Sequence, residues 1–295
     1  MIDLTGLSTL VPQALDAGTP AVLVTITRAV GSTPREAGAA MLVTPSQLAG
    51  TIGGGRLEFD AIERARAMLV SGEIEAAMDV ALGPAIGQCC GGRVELSLRR
   101  AEEALLTELK TLETRQKAAR PLALIFGAGH TGRALATALA PLPISVRLVD
   151  SRPETLVGLP EVIETIASAL PEAEVAAAPA GTAFVVMTHE HSLDFLIAAA
   201  ALARGDAAYV GLIGSATKRE RFRRYLAEEG WEADAARLTL PIGGAALHDK
   251  RPEVIAALTV AELAVCLLSD QQEKLIDRFA ARNGRCHSAE VRSTG

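Results

Sequence analysis

The chain has 295 residues, 49% of them hydrophobic but only 3% aromatic, and a formal net charge of −6. That length accommodates two domains of roughly 100–200 residues, and the acidic balance excludes the basic field of a dedicated nucleic-acid binder. Four cysteines are too few for a disulfide scaffold, no apolar run approaches the roughly 18–20 residues of a membrane span, and the start of the chain, with Asp3 and Asp16, has no basic leader.

These features predict a soluble cytoplasmic protein with reduced thiols. In chain order, AVLVTITRAV reads as a strand, GSTPREAG as a turn shaped by Pro34, and AAMLVT as the returning strand. After LAGTI, three glycines (Gly53, Gly54, Gly55) open the amphipathic helix RLEFDAIERARAMLV. Such a run forms a nest of backbone N–H groups suited to an anion. A tight strand-to-helix turn at positive φ is the alternative, and one glycine would suffice for it.

The segment GQCCGG follows, with Gln88, Cys89 and Cys90 ahead of the strand RVELSL. Adjacent cysteines are poorly placed as two corners of a zinc tetrahedron, and they lack the C-x-x-C spacing of thioredoxin-like motifs. What remains is one or two soft thiolates on a glycine loop, suited to a soft metal or to sulfur transfer. Cys266, inside AELAVCLL, reads instead as a small buried hydrophobe.

A charged helix, RRAEEALLTELKTLETRQKAARP, runs up to Pro121, which biases Arg120 toward extended geometry. The domain boundary falls at residues 115–121. Residues 1–117 are expected to form an N-terminal mixed α/β domain, 118–270 a Rossmann-like doubly wound parallel-sheet domain, and 271–295 a polar tail whose last part is mobile.

The second domain opens with the buried strand LALIF and the turn GAGHTG, with Gly127, Gly129, His130 and Gly132. In this pattern the first glycine permits a tight turn, the second a close approach of backbone to phosphate, and the third helix–strand packing. The next strand, ISVRLVD, ends in Asp150, where such folds place the acid that binds ribose hydroxyls. Further strands, AFVVMT, AAYVGLIG and RLTLPIG, direct three segments to the carboxyl edge of the sheet. In the first of these, THEHSLD, the residues His189, His191 and Asp194 suit a divalent metal, or Ser192 caps a helix. In GSATKRERFRR, the residues Ser215, Lys218 and Arg219 suit an anion, or form a solvated basic face. PIGGAALHDK, with His248 and Lys250, reads as a loop.

The segments AVGSTPREAGAAMLV, GTIGGGRLE, GQCCGGRVEL, FGAGHTGRALA, VDSRPE, VMTHEHSLD and YVGLIGSATKRERF carry a resemblance. From about residue 20 to about residue 265 the chain is similar, in order, to the XdhC/CoxI family of xanthine dehydrogenase accessory proteins. The resemblance implies a homodimer that binds molybdenum cofactor (molybdopterin with its metal), holds it during sulfuration by a cysteine desulfurase, and delivers it to xanthine dehydrogenase or a related molybdenum hydroxylase. It implies no turnover and no nucleic-acid or membrane partner. Carried onto this chain, the candidate cofactor contacts are Gly53, Gly54, Gly55, Gln88, Cys89, Cys90, Gly127, Gly129, His130, Gly132, Asp150, His189, Ser215 and Lys218, with Cys89 or Cys90 toward molybdenum. The chain departs from the family at HDKRPEVIAALTV, where His248 and Asp249 replace small residues. Two other classes fit parts of the sequence. An NAD(P)-binding Rossmann oxidoreductase would use Gly127, Gly129, Gly132 and Asp150, with His189 handling protons. A persulfide or soft-metal carrier would use Cys89 or Cys90.

Overall fold

The computed structural model describes residues 7, 10–83, 91–230, 236–244 and 249–283. The chain divides into two compact units, Met1–Ala119 and Arg120–Gly295.

The first unit is built on five antiparallel strands: β1 (Ala21–Val30), β2 (Ala40–Val43), β3 (Leu48–Gly50), β4 (Glu75–Ala81) and β5 (Arg93–Ala101), in the order β3-β2-β1-β5-β4. Alternation along β1 divides its side chains between two cores. Val22, Val24 and Ile26 meet Leu57, Ala61, Ala65 and Met68 of α2 (Gly55–Ser71). Ala21 and Leu23 meet α1 (Leu10–Ala17) and α3 (Glu103–Ala118) on the opposite face. The spacing of the buried α2 residues keeps them on one stripe, and α2 stops at Gly72, in the left-handed conformation.

The second unit carries six parallel strands: β6 (Leu122–Phe126), β7 (Ser145–Asp150), β8 (Ile163–Ala167), β9 (Ala183–Val186), β10 (Tyr209–Leu212) and β11 (Leu238–Thr239). Their order, β11-β10-β9-β6-β7-β8, is the 3-2-1-4-5-6 order of a dinucleotide-binding sheet. One face is covered by α4 (His130–Leu139) and α8 (Pro252–Asn283), the other by α5 (Pro171–Ala177), α6 (His191–Ala203) and α7 (Ala216–Glu228). Covered on both sides, β6 is buried at all five positions, which accounts for its unbroken apolar sequence.

Two expectations need correction here. Residues 271–283, read as tail, continue α8, while 284–295 lie outside the described residues. Within α8, Pro252–Ser269 has a mean hydropathy of 1.8, long and apolar enough by composition to cross a membrane. Glu253 and Glu262 interrupt the run and conceal it from a search for unbroken apolar stretches. In this fold the segment is a packing helix: Ala256, Thr259, Leu263 and Leu267, spaced three or four apart, are buried and three of them join the core beneath α4.

Truncating the fully buried Leu98 of β5 to alanine is expected to cost about 2–5 kcal/mol, read as a lowered urea midpoint. Val265→Ala, at a position 69% exposed, is expected to stay within about 0.5 kcal/mol of wild type.

Candidate functional site

In a doubly wound sheet, ligands bind beyond the carboxyl edge where the strand order reverses. Here that point lies between β6 and β9, so the turn after Phe126 faces the segment that follows Val186. The three glycines of that turn have different roles. Gly127 has φ +109°, and a Cβ on it would stand 2.3 Å from the Met187 carbonyl oxygen. A Cβ on Gly132 would stand 1.8 Å from the Gly127 carbonyl oxygen. Packing therefore demands both. Gly129 has φ −71°, and a Cβ there would meet nothing within 4 Å. Its bare backbone faces open space at the N-terminus of α4, where no described side chain accepts from the N–H groups of Gly129, His130 or Thr131. This is the arrangement that receives an anion.

Asp150 holds the turn in place. It is 6% exposed, and its Oδ2 accepts the Ala128 N–H at 2.7 Å. The Arg152 N–H and Nε–H donate to Oδ1 at 3.0 and 2.9 Å, and Arg152 Nη2–H donates to Oδ2 at 3.0 Å. Burial pushes the carboxyl up, but these hydrogen bonds from Arg152 and from the two backbone N–H groups outweigh it, so the group sits below its ordinary value. Asp150, read from the sequence as the acid that meets ribose hydroxyls, here bonds the glycine turn and Arg152 and so clamps the turn.

Beside the clamp lies a narrow slot walled by Phe126, Val149, Pro171 and Leu193 and rimmed by Ser151, Ser168, Thr188 and His189. A second cleft lies along the ends of β9 and β10, where His191, Ser192, Ser215, Thr217 and Arg221 face it. Thr188 borders both. Beneath Thr188, Asp194 is 1% exposed; its Oδ1 accepts the Thr188 N–H and Oγ1–H, and its Oδ2 accepts Lys218 Nζ, which also donates to the Ile213 carbonyl. Lys218 borders the second cleft, yet its ammonium is engaged in this buried pair, and Asp194 is likewise not available to a metal. A carboxylate this buried needs its counter-ion. His189, His191 and Ser215 are exposed at the edge, as is His130 at the first residue of α4. Among the described residues no group of three His, Cys, Asp or Glu side chains is placed to hold a metal ion.

In the first unit, Gly53, Gly54 and Gly55 have φ values of +123°, +76° and +64°. The expectation that one glycine would suffice there is corrected, because each position takes the left-handed or positive-φ backbone that favours glycine. Two N–H groups of the nest, and that of Ile52 before it, already serve internal acceptors. Those of Ile52 and Gly54 donate to Glu58 Oε2, and that of Gly53 donates to Thr51 Oγ1. Sequence reasoning missed Glu58, although a carboxylate in the first turn after a glycine run is a signal for this cap. Gln88, Cys89 and Cys90 lie outside the described residues. The ends of their β4–β5 connection are described: the Leu82 N–H donates to the Gly92 carbonyl at 2.8 Å. A Cβ on Gly92 would stand 2.4 Å from the Ser32 carbonyl, and one on Gly53 2.6 Å from Pro34 Cγ. The GSTP turn, the triple glycine and the end of the cysteine connection therefore converge on one corner of the antiparallel sheet. Cys266 is half-buried rather than fully buried, with its Sγ–H toward the Ala208 carbonyl.

Residues 14–80 match the model of the XdhC and CoxI family, and residues 123–263 match that of the XdhC Rossmann domain. One match falls in each unit. The chain is 26% identical over 257 residues to the uncharacterized protein YqeB of Escherichia coli (strain K12), covering 83% of this chain and 43% of that protein. It thus spans less than half the length of this curated relative. A crystal structure described as a xanthine dehydrogenase from Bacillus halodurans has a TM-score of 0.75 to this fold at 20% identity, covering 88% of this chain and 95% of that one. The likeness establishes the fold.

Gly132→Ala is expected to destabilise the fold by at least about 1–3 kcal/mol, whereas Gly129→Ala should leave the urea midpoint within about 0.5 kcal/mol of wild type. Because the Asp150 carboxyl is held below its ordinary value, its contribution is complete above about pH 4 and is lost as pH falls through the lowered value. The hydrogen-exchange protection factor of the Ala128 amide is therefore expected to stay flat from about pH 8 to about pH 5 and to fall only in stronger acid.

Proposed function

The chain belongs to the XdhC and CoxI family, and on that premise we propose that it is a maturation factor for xanthine dehydrogenase or a related molybdenum hydroxylase. In this reading it binds molybdenum cofactor, holds it while a cysteine desulfurase supplies the sulfur ligand, and hands it to the client without turnover of its own. The observation that carries the reading is the turn at Gly127–Gly132: packing accounts for its first and last glycines and leaves Gly129 open to solvent at the start of α4.

The residues present fit the organic part of such a cofactor. Its phosphate suits the N–H groups at the start of α4; the slot beside that turn has room for about one water molecule and not a pterin, whereas the wider cleft along the ends of β9 and β10 offers the Ser215 and Thr217 hydroxyls and the Phe195 ring to a flat heterocycle. The Gly53–Gly55 nest is the weaker phosphate candidate, since Glu58 already fills it with a carboxylate. When bound, the cofactor supplies a molybdenum centre with a labile sulfur ligand. The second unit supplies orientation at the organic end; Cys89 and Cys90, with Gln88 beside them, lie outside the described residues and are the soft thiols whose chemistry suits molybdenum. Asp150 keeps the turn shaped, and the Asp194–Lys218 pair keeps Thr188 at the rim of the slot.

Ultrafiltration with molybdenum cofactor, and with NAD and NADP as parallel controls, tests this. Near-stoichiometric retention is expected for wild type, with loss in the Cys89→Ala/Cys90→Ala double variant and in Gly129→Glu, which places a carboxylate where the phosphate binds. Retention of NAD or NADP without pterin would refute the carrier reading in favour of an oxidoreductase.

A further inference from the structure

The antiparallel sheet of the first unit ends at β4, an edge without the usual protection. Sheets guard an exposed edge by shortness, proline, bulges or unopposed charge. β3, at the other end of this sheet, has three residues, and the edges of the parallel sheet, β8 and β11, have five and two. β4 has seven, Glu75–Ala81, without proline, glycine or lysine and without a register shift against β5. Its two charges are matched from β5: Arg93 Nε–H and Nη2–H donate to the Asp79 carboxylate at 2.7 and 2.5 Å, and Arg99 Nε stands 3.8 Å from Glu75.

The ladder fixes which way the backbone points. The Leu82 N–H donates to the Gly92 carbonyl, and the Arg100 N–H to that of Ile74. Bonded and non-bonded pairs alternate along an antiparallel ladder, so Ala76, Met78 and Val80 also bond β5. Glu75, Ala77, Asp79 and Ala81 turn their N–H and C=O groups outward, and among the described residues nothing donates to or accepts from them. On the α2 side, Ala76, Met78 and Val80 join the core only as half-buried residues, and Ile74, just before the strand, is 60% exposed. One further strand would satisfy both the outward backbone and the half-covered apolar face.

We propose that this strand is β4 of a second copy of the chain, paired antiparallel about Met78. That register sets Glu75 opposite the second copy's Ala81, Ala77 opposite its Asp79, and Ile74 opposite its Leu82. It uses all seven residues of β4 and gives every outward N–H and C=O a partner. It also places no like charges directly opposite one another, a destabilising arrangement in a sheet. Centring the pair on Ala77 would oppose Glu75 to Asp79, and centring it on Asp79 would oppose that carboxylate to itself. A strand that complements its own copy in this way meets the requirement of a two-fold interface. The inference does not depend on the ligand reading.

The test is sedimentation equilibrium of the full chain, with circular dichroism to confirm that each variant is folded. Wild type is expected to be a dimer. Ala77→Asp, which opposes a carboxylate to the second copy's Asp79 twice in each dimer, should weaken association by about tenfold; Ala77→Lys should leave it as tight or tighter. Ala77→Pro removes an outward N–H that β5 does not use and should give a folded monomer. In Met78→Cys the two introduced thiols meet at a non-hydrogen-bonded pair, with Cα atoms about 4.5 Å apart, within reach of a disulfide. Oxidation by copper phenanthroline should therefore join two chains through the peptides that carry this position, as read by mass spectrometry. A monomeric wild type, equal association of Ala77→Asp and Ala77→Lys, or oxidised Met78→Cys without a bond between those peptides would overturn the proposal.

Discussion

The hydrogen bond from the Ala128 amide to Asp150 joins the loops that follow the first two strands of the parallel sheet. A glycine turn with open space at Gly129 has little of its own to fix its shape, since the residue that leaves room for a ligand leaves room for disorder. The carboxylate supplies the missing constraint from a neighbouring strand. It can remain charged in a nearly buried position because Arg152 is bonded to it on both oxygens. Remove the arginine and the acid has burial without compensation; remove the acid and the turn loses its only side-chain acceptor among the described residues. The shape of this edge therefore begins with an interaction made wholly within the chain.

The same solution recurs one strand over. The loop after β9 is tied through Thr188 to Asp194, and Asp194 is tied to Lys218 at the start of α7. In both places a buried carboxylate orients backbone from below while neighbouring groups, His130 and Ser151 in one case and His189 in the other, are left exposed. The antiparallel unit uses a shorter version, with Glu58 capping its own glycine run. The glycine runs at Gly53–Gly55 and Gly127–Gly132 are thus each held by a carboxylate, Glu58 in one and Asp150 in the other.

Much of this was legible in the sequence. The buried strands announced themselves by composition, LALIF above all, and the glycine turn by its spacing between a strand and a helix. Less visible were elements whose surroundings supply the order. β8 is an edge strand with Glu164 and Thr165 exposed, and β4 alternates without a fully buried residue. Neither carries enough apolar pattern to stand out. The roles of charged residues were the least legible. Asp150 and Lys218 sit at the positions where a ligand contact is expected, but a sequence does not say whether a carboxylate or an ammonium has already found a partner in the chain. Arg152, two residues after Asp150, was the available hint. The glycines divide more clearly in the structure, because a missing Cβ serves packing at Gly132 and serves nothing in the protein at Gly129.

The contact between Gly127 and Met187 links positions about sixty residues apart in the chain. During synthesis, β6 and the helix after it leave the ribosome well before β9 does, and the parallel pairing that closes the switch point cannot form until the later strand arrives. The turn at Gly127 therefore has no Met187 carbonyl to pack against, and no finished slot, in a partly made or truncated chain. The carboxyl edge at the switch point is therefore completed only once β9 has been made, about sixty residues after the turn itself.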